Sequence, residues 1–180
     1  PPSRGFWLMR EAALSLARAR PEIASVANPR QTSTIAYEHS SLNLTGEGFD
    51  AGPPPGAVPD ECPIQAAAGG RHLSDLAGPH FTALVFAADG ALEPALDDAL
   101  RRLEGGDPPW RSVIVALRGE PACDARREHV VDSQGQAFRR YGAHEGSVYL
   151  LRPDGHVAGR WLRPGAATLQ AAVAHLCARS

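Results

Sequence analysis

Three cysteines and seven histidines are the residues of this chain most able to do nucleophilic or metal chemistry. Cys62, Cys123 and Cys177 are odd in number and far apart, and no CxxC, HxH or HExxH spacing occurs, which argues against a zinc site. Unpaired thiols of this kind suit a reducing cytoplasm, where most are small buried hydrophobes. Cys123, in a charged loop, reads as an incidental exposed cysteine or a reactive surface thiol, and Cys177 beside Leu176 reads as packing. His129 near Asp132 and His144 near Glu145 have acid–base spacing, but polar surface loops explain both. There is no GxSxG nucleophile elbow. Ala68-Gly69-Gly70 is too short to cradle a phosphate. Gly46-Glu47-Gly48 with Gly52 misses the GxGxxG spacing and follows no apolar strand, so no dinucleotide-binding turn is encoded in this segment.

Charge excludes further classes. The net charge is −2, and all 18 basic residues are arginines, as genomic GC bias would produce. They are scattered, with tight pairs only at Arg101-Arg102, Arg126-Arg127 and Arg139-Arg140. Solvated helix faces explain those pairs, with phosphate recognition as the weaker alternative. Neither a nucleic-acid partner nor a membrane partner is expected, and no apolar run approaches the length of a membrane span. Asn43-Leu44-Thr45 matches a glycosylation sequon, which means little in a chain with no secretion signal.

The elements that must hold these residues follow from periodicity. Phe6, Met9, Ala13 and Leu16 recur at helical spacing ahead of Pro21, predicting an amphipathic helix over residues 6 to 19 whose apolar stripe needs a partner. Residues 28 to 45 read as an extended connector. Gly46 to Pro59 holds four glycines and four prolines in 14 residues, a linker or wrapping arm with polyproline character. A compact domain is expected from near Val58. Leu73 to Leu76 reads as one helical turn, and Phe81 to Phe86 and Ser112 to Leu117 as buried strands. Between those strands, Leu92, Leu96, Leu100 and Leu103 stripe a helix supported by Asp97–Arg101 and Asp98–Arg102 pairs, each worth about 0.2–0.5 kcal/mol. Asp132 can cap a short helix carrying Phe138 and Tyr141.

Ser147 to Leu151 and the run from His156 form a hairpin, and Asp154-Gly155 between them suits a tight primed turn. Beyond it, Val157, Gly159 and Trp161 should share one face, with His156, Ala158 and Arg160 on the other. Trp161 should pack toward the closing helix after Pro164, which carries Leu169, Ala172, Val173 and Leu176.

The order β-α-β-α-β-β-α gives a parallel pair with a right-handed crossover and an antiparallel edge, the element order of an α/β thioredoxin-like domain. Redox-active domains of that kind place a low-pKa cysteine directly after the first core strand. Here that position reads Ala87-Ala88-Asp89-Gly90-Ala91, and the place of the usual cis-proline reads Glu145-Gly146-Ser147. Asp89 is expected to cap the following helix. The domain therefore lacks the CxxC and its chemistry, and it is preceded by an N-terminal helix and an extended Pro/Gly-rich arm.

Several strings together resemble a known family. They are Asn28-Pro29-Arg30-Gln31, Ser41-Leu42-Asn43, Gly52-Pro53 through Pro59-Asp60, Leu73-Ser74-Asp75-Leu76, and the run from Tyr141-Gly142-Ala143 through Tyr149, Arg152-Pro153-Asp154-Gly155-His156 and Arg160-Trp161. The chain is similar along nearly its whole length to the C-terminal part of FAD-dependent aromatic hydroxylases, the group of phenol, 3-(3-hydroxyphenyl)propionate and polyketide hydroxylases. The resemblance implies a non-catalytic thioredoxin-like domain at residues 58–180, serving stability or dimerisation. It also implies a connector at 21–57 and, at 1–20, a helix left over from the upstream flavin and substrate domain. The start at Pro1 rather than Met fits a piece of a longer protein. FAD and NAD(P)H would serve the full-length enzyme, whose fingerprint motifs would lie upstream. The partners implied are that FAD-binding domain and a second copy in a homodimer. No catalytic, cofactor or metal residue carries over. Tyr141, Gly142, Tyr149, Arg152, Pro153, Asp154, Gly155, His156, Arg160 and Trp161 enter as motif residues of structural role. The alternative is a stand-alone, redox-inactive thioredoxin-like binding module with a groove near Ala87 to Ala91.

Overall fold

The computed structural model describes residues 3–19, 35–44, 46, 48–123 and 127–178. The expected Asn28-Pro29-Arg30-Gln31 motif, Pro21, Thr45 of the sequon and Arg126 lie outside them. Two compact units are present, Pro1–Thr34 and Ile35–Ser180. The first contains α1 (Arg4–Ala19), on which Trp7, Leu8 and Met9 are 58%, 61% and 65% exposed. Of the expected stripe only Met9 has a described side chain; those of Phe6, Ala13 and Leu16 fall outside the described ones.

The second unit is one mixed sheet with cover on both faces. Its strands are β1 (Pro63–Ala66), β2 (Gly69–His72), β3 (Thr82–Phe86), β4 (Arg111–Ala116), β5 (Ala122–Cys123), β6 (Arg127–Val131), β7 (Ser147–Leu151) and β8 (Val157–Trp161). They lie in the order β2-β1-β6-β4-β3-β7-β8, with β5 on β6. Strands β3, β4 and β6 run parallel, and β7 and β8 join antiparallel. Every residue of β3 and β7 is buried, which accounts for their unbroken apolar sequence. On one face α2 (Pro94–Glu104) and α4 (Ala166–Cys177) supply Leu96, Leu100, Leu169 and Leu176 against Val85, Ile114 and Leu150. On the other, α3 (Gln136–Arg140) and the 3-10 turn Leu73–Leu76 close over Leu84, Phe86, Val113 and Tyr149. The Asp132 carboxylate accepts the amides of Gln136, Ala137 and Phe138 at 2.9, 2.7 and 3.2 Å, and so starts α3 as expected. Among the described residues no helix is long and apolar enough to cross a membrane.

Five expectations are corrected. Strands β1, β2, β5 and β6 add to the β-α-β-α-β-β-α reading. Packing of the second unit begins at Ile35, ahead of the expected Val58, because the Pro/Gly-rich arm is hydrogen-bonded onto the sheet. Arg127 does not sit on a solvated face: it reaches Asp97 at 2.5 Å and Glu104 at 2.8 Å. The hairpin turn is not a two-residue primed one. Gly155 N–H donates to the Arg152 carbonyl at 2.9 Å, and Arg152 N–H to that of His156 at 2.9 Å, so Pro153 and Asp154 are the central pair. Only Gly155 takes positive φ, 82°, as in a type I turn followed by a left-handed residue. Finally, Leu150 pairs with Gly159 and Leu151 with Val157, leaving Ala158 as a bulge. That extra residue puts Val157 and Trp161 on opposite faces, where strict alternation had them together.

Candidate functional site

Strand β3 delivers the chain to the position where redox relatives of this fold would carry their nucleophile. The Ala87 amide donates to the Val115 carbonyl at 3.0 Å, and Leu117 N–H to that of Ala88 at 2.9 Å, which fixes the loop on the end of the sheet. Ala88 N–H donates to Oε2 of Glu145 at 2.8 Å, and Gly146 N–H to the Phe86 carbonyl at 2.9 Å. The expected role of Asp89 is corrected: its carboxylate pairs with Arg118 at 3.0 Å, while α2 starts only at Pro94 behind Glu93. Proline suits the first turn of α2, where its fixed φ is already helical and its missing N–H would have been an orphan.

Beside this loop lies a cavity of about 370 Å³, lined among others by Ala87, Leu92, Leu96, Gly146, Pro164 and Ala166. Its polar lining is Glu93, Glu145 and Arg163. The loop does not fit a pyrophosphate. The amide that would cradle an oxygen already holds the Glu145 carboxylate, whose charge opposes an anion, and the helix begins with a proline that has no N–H to offer. The FAD implied by the family resemblance therefore has no seat in this loop.

The other chemical candidates disperse. Cys62 is buried, and burial pushes its thiol up to about 11; Cys123 is exposed on β5 and Cys177 half-buried. The carboxylates of Asp132 and Glu145, proposed as partners of His129 and His144, accept backbone amides. Among the described residues no group of three His, Cys, Asp or Glu could hold a metal.

The motif residues have a different geometry. Tyr141 and Tyr149 are fully buried with ring centroids 5.0 Å apart. The Tyr149 hydroxyl donates to the Tyr141 carbonyl at 2.5 Å, and that of Tyr141 to the Asp60 carbonyl at 3.0 Å. Burial raises both phenol pKa values, and for Tyr149 a hydrogen bond from Arg160 partly offsets it. Arg160 Nη1 donates to the carbonyls of Ala51 and Gly52, each at 2.8 Å, and its guanidinium lies 4.8 Å from the centre of the Phe49 ring. Gly52 has φ 86°, and a Cβ there would sit 2.4 Å from the Tyr141 carbonyl oxygen and 2.6 Å from the Tyr149 hydroxyl. Gly142 faces Ala51 on the same side. These residues form a clamp on the arm.

Arg152, 6% exposed, is paired with Asp154 in the turn, where Pro153 is exposed. Burial raises the Asp154 pKa, but hydrogen bonds from Arg152 and from the His156 amide leave it below its ordinary value. The His156 ring meets Tyr37 of the arm edge-on at 5.0 Å. Trp161 lies apart from the tyrosines, half-buried on the face of the closing helix as expected. Sequence reasoning missed the arm residues Phe49 and Ala51, and named Gly52 only within a family string; a lone aromatic inside a Gly/Pro-rich run was the available signal.

Comparison with known proteins adds to this geometry. No family model matches the chain, and no curated protein matches it. Among solved structures, the flavin-dependent monooxygenase PieE in complex with FAD and substrate aligns with a TM-score of 0.61 at 21% identity, over 93% of this chain and 28% of that one. Aklavinone-11 hydroxylase with FAD and aklavinone aligns with 0.61 at 22% identity, over 95% of this chain and 33% of that one. Yeast Sco1 with copper bound gives 0.52 at 11% identity, over 67% of this chain and 88% of its own. A structure described as a thiol:disulfide interchange protein, DsbE from Chlorobium tepidum, gives 0.51 at 19% identity, over 72% of this chain and 99% of that one, so the fold is α/β and thioredoxin-like. The chain spans a third or less of the two monooxygenase structures.

Proposed function

We propose that this chain is the C-terminal, redox-inert thioredoxin-like part of a FAD-dependent aromatic monooxygenase, acting in stability or dimerisation. The observation that carries the reading is the reach of the likeness. The two monooxygenase matches cover 93% and 95% of this chain. The match to Sco1 covers only 67%. A likeness over nearly this whole chain, but over a third or less of two larger enzymes, supports a shared piece of a larger enzyme. On this reading the exposed Trp7, Leu8 and Met9 belong against an upstream FAD-binding domain, and the motif residues from Tyr141 to Trp161 serve as scaffold. FAD, NAD(P)H and the hydroxylation of a phenolic or other aromatic ring belong to the full-length protein, with the homodimer as its assembly and the cytoplasm as its compartment.

The test is purification of the full gene product that carries this segment, alongside residues 1–180 alone. The full protein should be yellow and oxidise NAD(P)H in the presence of an aromatic substrate, and the segment colourless and inactive. FAD retained by the segment, or a full-length product without flavin, would overturn the reading. The second outcome would favour a stand-alone binding module, for which the cavity beside Ala87 is the supporting observation.

A further inference from the structure

We draw no further inference here: the strongest candidate, the cavity beside Ala87 between the first turns of α2 and α4, is lined by the exposed side chains of Glu93, Glu145 and Arg163, and nothing in the structure shows what occupies it.

Discussion

Changing Tyr149 to Phe removes one oxygen atom and keeps the ring, so it isolates what that hydroxyl does. The side chain is fully buried and donates to the Tyr141 carbonyl beneath the arm at Gly52. Without the donor, that carbonyl stays buried and loses this partner, a cost of about 1–3 kcal/mol. Tyr141→Phe is the internal control. Its hydroxyl donates to the carbonyl of Asp60, an exposed residue, where water can replace it, so the loss should be about 0.5–1.5 kcal/mol. For a unit of this size each kcal/mol lowers Tm by about 2–4 °C. Thermal melts and urea titrations followed by circular dichroism would measure both, with equal m-values showing that the unfolded state is unchanged. Tyr149→Phe should be clearly the more damaging. Equal losses, or the reverse order, would refute the claim that this hydroxyl is the keystone under the arm.

Three further outcomes are expected. Hydrogen bonds from Arg127, then Arg101, hold the Asp97 carboxyl below its ordinary 3.8, so its contribution to stability is complete above that value and disappears as pH falls through the lower folded one. Asp97→Asn should therefore lower stability at neutral pH and converge with the wild type in acid; parallel curves would show that the carboxylate is not the cause. Ellman's reagent should label exposed Cys123 in the native protein and reach Cys62 only on unfolding. Because burial raises Cys62 from 9.0 to about 11, its part in stability holds below pH 9.0 and is lost as pH rises toward 11, a loss that Cys62→Ala should abolish.

Long apolar runs were legible: β3, β4, β7, the Leu96-Leu100-Leu103 stripe and the closing helix all follow from periodicity. The rest was hidden for physical reasons. Strand β6 reads Arg-Glu-His-Val-Val, and Glu128 is 3% exposed only because Arg111 and Arg71 compensate it from strands far away in sequence. Strands β1 and β2 are four residues each, with a proline and two glycines, at the margin of the sheet. The arm has no period because non-local hydrogen bonds, made to a strand a hundred residues on, order it. The bulge at Ala158, which sends Val157 and Trp161 to opposite faces, belongs to the tertiary register of the hairpin and leaves no mark in the apolar pattern. That no cysteine stands at Ala87–Ala91 is a matter of composition; that the carboxylate held by the loop is Glu145 rather than Asp89 was a matter of folding.

The wrapping of the edge has a consequence for the order of events during synthesis. Leu44 must wait for Ala158, roughly 114 residues later, before it can make its bond. At about 5–20 residues per second the arm waits on the order of 6–23 s for its partner. A segment with strong strand propensity would be a hazard over such an interval. Pro53-Pro54-Pro55 and the surrounding glycines make this one a poor template for other nascent chains, so the composition that disguises the arm also lets it remain idle until β8 emerges.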